Sequence, residues 1–332
     1  MSDRSLDGSS SRPFRAVRFL VAVALTAYVL WAADPSRVFH EAATADWQWI
    51  GAAVLLVLAD RALMAYRWMV LLAALSPGTR PPFGAVLRIF FVSTFVGSFL
   101  PSLAGDIYRA YSLSRLHVSG VEAAASVIMD RALGVLSMVI VAVAALGFAH
   151  DMVRMPGVLP TVLLAAAACG LGAAALYSER VASWAVRATV VLPGRKARTL
   201  AAGLVDAVRR YTTRHGQLTN VLLSSIGVQI LRVLQAYCLG LSLGLQTPLW
   251  VYFVFVPLIV IVMQIPVTMM GLGTSQVAFQ VFFGQVGVAS AQSVALSILF
   301  VALAVVGNLP GGLLYVIGTE RGVTPRPTRS DH

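Results

Sequence analysis

Charge is scarce in this sequence: only 12% of its 332 residues are Asp, Glu, Lys or Arg. Soluble domains carry about 25%, so this chain cannot cover a water-facing surface, and lipid is the solvent its composition fits. Cysteine is nearly absent, and the two present, Cys169 and Cys238, lie inside apolar runs. That excludes a disulfide framework or a cysteine metal set. The five histidines (His40, His117, His150, His215, His332) form no ligand-spaced pair. No Gly-x-x-x-x-Gly-Lys motif occurs, which removes P-loop nucleotide hydrolysis as a driving force. Neither a nucleophile elbow nor a metal-ligand cluster is present, so no catalytic residue, metal or cofactor is expected.

What the chain has is apolar length. Hydrophobic residues make up 58% of it. They run almost unbroken through about 17–33, 47–75, 123–148, 158–177, 218–245 and 290–316, and a bilayer span needs about 20 such residues. Two more regions, 83–117 and 250–288, are apolar but broken by Pro and Gly. The expected fold class is an all-α polytopic membrane protein. It has about six full spans plus two re-entrant helical hairpins, arranged as a candidate inverted repeat. Three arginines (Arg12, Arg15, Arg18) precede the first run in the manner of a signal peptide. Trp31 and Leu30 occupy the positions where cleavage wants small residues, so the first helix is expected to be retained.

The net charge is +11. The basic residues sit between apolar runs rather than on one soluble module, which argues against nucleic acid and for the positive-inside rule. Arginine-rich segments alternate with poor ones along the chain. The N-terminal flank, 76–88, 179–215 and the C-terminal tail are basic, whereas 34–46 and 149–157 are not. This pattern predicts a multi-pass protein of the inner or plasma membrane with both termini cytoplasmic, provided that each broken region returns to the face it entered. The expected domains are a disordered cytoplasmic tail at 1–14, a single integral membrane domain at 15–318, and a cytoplasmic tail at 319–332. Within the membrane domain, 179–215 intersperses Arg180, Arg187, Arg198 and Arg209 with Trp184, Leu200 and Leu204, the pattern of helices lying along a membrane face. Trp31, Trp47, Trp49, Trp68, Trp250, Tyr252 and Tyr315 fall near segment ends as interfacial anchors.

The candidate site residues gather at the breaks. The first reads Pro101-Ser102-Leu103-Ala104-Gly105-Asp106-Ile107-Tyr108-Arg109. Proline cannot sit cheaply inside a regular helix. A helix resuming near Ala104 would put Asp106 in its first turn, and Asp106 and Arg109 on one face. The second break runs from Pro266 through Gly271 and Gly273 to Gln276. A helix resuming at Thr274 would aim backbone N–H groups inward as an anion cradle. Further charges lie within the spans: Asp60, Arg61, Arg67, Asp130, Arg131 and Arg232. Each costs roughly 2.5–3.5 kcal/mol at the bilayer centre, so internal partners or a wet cavity are expected. Asp60 and Arg61 read as structural, and adjacent positions diverge around a helix, so they need not pair with each other. Arg67 is divided between snorkelling and a site role, and Arg232 is assigned to an anionic pocket.

These breaks resemble three signatures of one family, the flippase-like membrane domain of lysylphosphatidylglycerol synthases and its stand-alone relatives. The family pattern is Pro, a spacer, Gly-Gly-Asp and a following Arg, then Glu-Arg, then Pro, a spacer and Gly-x-Gly-x-x-Glu. Here Ala104 stands for the first Gly, Asp130 for the Glu of Glu-Arg, and Gln276 for the last Glu. The likeness extends from about residue 15 to 318. It implies translocation of an anionic, aminoacylated or polyprenyl-linked lipid between leaflets. Pro101, Gly105, Asp106, Arg109, Asp130, Arg131, Arg232, Pro266, Gly271, Gly273 and Gln276 would bind lipid or headgroup. The implied partners are membrane lipids, an anionic phospholipid or polyprenyl phosphate, with no nucleic acid and with a homodimer left open. Only 16 residues follow the last run, so lipid aminoacylation by this chain is not expected. The alternative reading is a membrane enzyme or accessory subunit of glycolipid or phospholipid synthesis, which would need Asp106 and Asp130 to converge.

Overall fold

The computed structural model describes residues 43–75, 83–99, 102–114, 119–188, 195–264 and 273–319. Both termini, the 17–33 run, Pro101, Pro266 and Gly271 lie outside them. The described chain is helical, with no strand: α1 (Trp47–Leu75), α2 (Phe83–Phe99), α3 (Ser102–Ser114), α4 (Gly120–Phe148), α5 (Val158–Tyr177), α6 (Glu179–Ala188), α7 (Arg195–Arg210), α8 (His215–Ser242), α9 (Leu249–Met263), α10 (Thr274–Gly284) and α11 (Ser290–Thr319). Four of these, α1, α4, α8 and α11, are long and apolar enough to cross a bilayer, and α2, α5 and α9 supply shorter apolar helices. The protein is an all-α membrane protein. At 1.5 Å per residue the 29 residues of α4 reach about 43 Å, more than a hydrocarbon core of about 30 Å.

The centre of the bundle is α1 packed on α8. The two run antiparallel, and their contacts keep one register: Gln235 Nε2 donates to the Leu56 carbonyl at 3.4 Å, and Arg67 donates to Ser225 Oγ at 3.0 Å. Along α4, Trp68 Nε1 donates to Ser126 Oγ at 3.3 Å, and Gln229 Nε2 donates to Ser137 Oγ at 3.3 Å. Each bond satisfies a polar group that lipid could not.

Two buried clusters mark the ends. One gathers Leu71, Leu75, Ala125, Ala207, Tyr211 and Val221, beside the arginine-rich α6–α7 segment. The other gathers Ala53, Leu146, Met152, Leu243, Tyr252 and Phe283. At the first, basic end, the phenol of Tyr211 donates to the Leu71 carbonyl at 2.9 Å, and burial pushes its pKa up.

The described helices on either side of each break pack on each other, α2 on α3 and α9 on α10, and the two pairs lie toward opposite ends of the bundle. In the first, Gly97 meets Gly105 and Ser93 meets Arg109, pairs equidistant from residue 101. Its outer residues Val86, Phe90 and Ala110 pack with Trp68, Leu72 and Ala123 toward the basic end. In the second, Tyr252 of α9 packs edge-on against Phe283 of α10 and Phe255 packs at a tilt against Phe282, with centroids 5.0 and 5.4 Å apart. These outer residues belong to the cluster at the far end.

The first hairpin closes tightly because Gly105 has no side chain. A Cβ there would stand 2.6 Å from the Ser93 carbonyl oxygen. Helix α3 starts at Ser102 rather than near Ala104, so Asp106 lies beyond the first turn, against expectation.

Candidate functional site

Charged side chains enter the bundle near the middle of its long helices. Arg61 stands at the midpoint of α1 with Asp60 beside it, and Asp130 and Arg232 fall about four residues, or about 6 Å, from the midpoints of α4 and α8. They are buried: Asp60 keeps 1% of its surface, Arg67 4%, Arg109 6% and Asp130 6%. Ions at that depth persist only when paired or when they face a wet cavity, and here both conditions hold.

Three carboxylates organise the arginines. Asp60 accepts from Arg61 Nη1 at 2.9 Å, and its other oxygen lies 3.4 Å from Arg232 Nε. Asp130 accepts from Arg67 Nε at 2.7 Å and stands 3.9 Å from Arg109 Nη1. Asp106 takes two nitrogens of Arg131, at 2.5 and 2.7 Å, on one oxygen. Arg109 is further held by Ser93 Oγ at 3.2 Å, and its guanidinium sits 4.8 Å from the ring centres of both Trp68 and Phe90. These are two cation–π contacts from adjacent sides in a desolvated place, where such contacts are strongest.

These groups line a cavity of about 400 Å³. Its wall includes Arg61, Arg67, Arg109, Arg131 and Arg232, with Asp106 and Asp130. The first hairpin reaches it through Gly97, Gly105, Asp106 and Arg109, and the second through Val260 and Gln264. Arg131 is the more exposed member of its pair, with 49% of its side chain accessible against 19% for Asp106. Val135, at the edge of the cavity, also borders an apolar groove of about 590 Å³ that runs between another face of α4 and α5, α7 and α8.

The family model described as lysylphosphatidylglycerol synthase TM region matches residues 16–311. The chain belongs to that family. No curated protein and no solved structure matches it.

Within this lysylphosphatidylglycerol synthase TM region, the first two motifs meet at the cavity: Gly105, Asp106 and Arg109 from one, Asp130 and Arg131 from the other, joined by Arg232. Asp106 and Arg109, expected on one face of the helix, both turn toward α4, to Arg131 and Asp130 respectively.

The third motif behaves differently. Helix α10 does resume at Thr274. Gly273 stands at its N-terminus with φ 83°, a conformation that favours glycine. The Gly273 N–H donates to Gln276 Oε1, and Ser275 Oγ donates to the same oxygen at 3.2 Å. Gln276 therefore caps its own helix, and one amide of the expected anion cradle is already occupied. Neither Gly273 nor Gln276 is among the residues that line the cavity. Pro101, Pro266 and Gly271 lie outside the described residues.

Two readings left open are decided. Asp60 and Arg61 do pair, and Arg232 reaches the same carboxylate from α8. Arg67 does not snorkel: Asp130 and Ser225 hold it inside. The sequence reading also passed over Gln229, Gln264 and Asn308, which line the cavity. The signal for them was a lone amide inside an apolar run.

Proposed function

We propose that this chain is a flippase-like lipid translocase of the cell membrane, moving a lipid with an anionic headgroup between leaflets. The carrying observation is the cavity: five arginines at mid-helix depth, reached by hairpins from opposite ends of the bundle. Guanidinium forks bind phosphate oxygens through charge-assisted hydrogen bonds, and a phosphate crossing hydrocarbon needs such a relay. The apolar groove that shares Val135 with the cavity suits the lipid's chains.

In this reading both hairpins are re-entrant. Withdrawal of one would open the cavity toward one leaflet, and withdrawal of the other toward the opposite leaflet, the logic of alternating access at a midplane site. The basic end faces the cytoplasm by the positive-inside rule, which puts both termini there. Movement is passive or driven by a gradient.

The membrane-enzyme reading gains no support from the geometry. Asp106 and Asp130 line one cavity, but different arginines engage them, and they do not form an acid–base pair with each other.

The test is leaflet exchange in proteoliposomes holding fluorescent phosphatidate or a polyprenyl phosphate. Wild type should exceed protein-free vesicles, and Arg109→Ala should fall toward background while keeping a monodisperse elution profile. Wild type at background for every anionic and polyprenyl-phosphate lipid would remove the proposal.

A further inference from the structure

Within the described residues, the cavity is not electrically balanced. Five arginines line it, against two lining aspartates and the adjoining Asp60. The excess is two positive charges, held where unpaired charge is costly. A bound headgroup is the natural source of the missing counter-charge.

The opposite charge would compete with arginines already in place. An ammonium group needs a carboxylate or an aromatic cage. Each of the three carboxylates is engaged by at least one arginine: Asp60 by Arg61 and Arg232, Asp130 by Arg67 and Arg109, and Asp106 by Arg131. The aromatic faces of Trp68 and Phe90 are covered by Arg109. The position at which the family pattern has a glutamate carries Gln276, whose amide oxygen is spent on the α10 N-terminus.

Resting on the translocase reading, we infer that the headgroup carries about two negative charges, as a phosphomonoester or diphosphate lipid does. An aminoacylated phosphodiester headgroup, net cationic when the acyl group is lysyl, is the class that this cavity disfavours. Phosphatidylglycerol, a monoanion, falls between the two.

The experiment is displacement of fluorescent phosphatidate from the purified full chain in detergent at pH 8. The competitors are unlabelled phosphatidate, a polyprenyl monophosphate, phosphatidylglycerol, lysylphosphatidylglycerol and inorganic phosphate. The two lipid phosphomonoesters should displace the probe roughly tenfold better than phosphatidylglycerol, an extra charge-assisted contact or so, with lysylphosphatidylglycerol weakest. Two variants test the charge count in opposite directions. Arg232→Gln should narrow the preference for phosphatidate over phosphatidylglycerol, and Asp106→Asn should widen it. If either variant fails to fold, the other still decides.

Equal displacement by phosphatidylglycerol and phosphatidate, or tighter binding of lysylphosphatidylglycerol, overturns the inference and leaves the translocase reading standing. Inorganic phosphate as potent as phosphatidate keeps the charge class and removes the lipid. Failure of every lipid to bind removes the translocase reading itself.

Discussion

Arg67 on α1 and Asp130 on α4, 63 positions apart, meet through a 2.7 Å hydrogen bond deep inside the bundle. Neither side chain is more than 9% exposed. The bond fixes α4 against α1 at the depth of the cavity and leaves the second oxygen of Asp130 near Arg109. Removing one partner of such a pair strands a buried charge, at a cost of about 3–5 kcal/mol. Asp130→Ala should therefore lower the unfolding temperature in detergent sharply. The double variant Arg67→Met, Asp130→Leu should recover part of that loss, because Arg67 is no longer stranded, although Arg109 still loses its carboxylate. A double variant as unstable as the single would contradict the pairing.

The closeness of α2 and α3 predicts a steric effect. Gly105→Ala drives a methyl group against the Ser93 carbonyl oxygen, which as backbone cannot swing away. Overpacking of this kind costs about 1–3 kcal/mol. Gly51→Ala in α1 meets open space and should be neutral or slightly stabilising. Parallel thermal unfolding of the two variants checks the contrast.

Gln276 should act on stability and not on selectivity. Loss of a helix cap costs about 1 kcal/mol, so Gln276→Ala should lower stability by that order. The ratio of phosphatidate to phosphatidylglycerol binding should stay unchanged, since the side chain does not line the cavity. A changed ratio would assign Gln276 to the headgroup.

Tyr211 gives a pH signature at the basic end. Burial raises its phenol above the ordinary 10.0, so the folded protein holds the proton when the unfolded chain has lost it. Its contribution is complete below the ordinary value and declines as pH rises beyond it. Tyr211→Phe should remove that alkaline decline, and loss of the bond to the Leu71 carbonyl should cost about 0.5–1.5 kcal/mol. Stability measured across alkaline pH for both proteins checks it.

Much of the architecture was legible because bilayer physics simplifies the code. Apolar runs marked the long helices, and the helices do break where the sequence sets Pro and Gly, ending at Phe99 and Met263. The restart at Thr274 followed from the glycine at its N-terminus. Ion-pair partners were not legible. Spacing put Asp106 and Arg109 on one face but could not say that each finds its partner on α4. The adjacent Asp60 and Arg61 were left open as a pair, and the arrival of Arg232 from α8 beside the same carboxylate could not be read from spacing. Gln229, Gln264 and Asn308 each stand alone in an apolar run, and only three-dimensional packing gathers them around one cavity.

The central claim is that the arginine cavity holds a multiply charged lipid phosphate. Mass spectrometry of lipids that co-purify with the full chain tests it most directly. The prediction is enrichment of phosphomonoester or diphosphate lipids over the bulk membrane, lost in the Arg131→Gln, Arg232→Gln double variant. Retained lipids that mirror the bulk membrane, in wild type and variant alike, would contradict it.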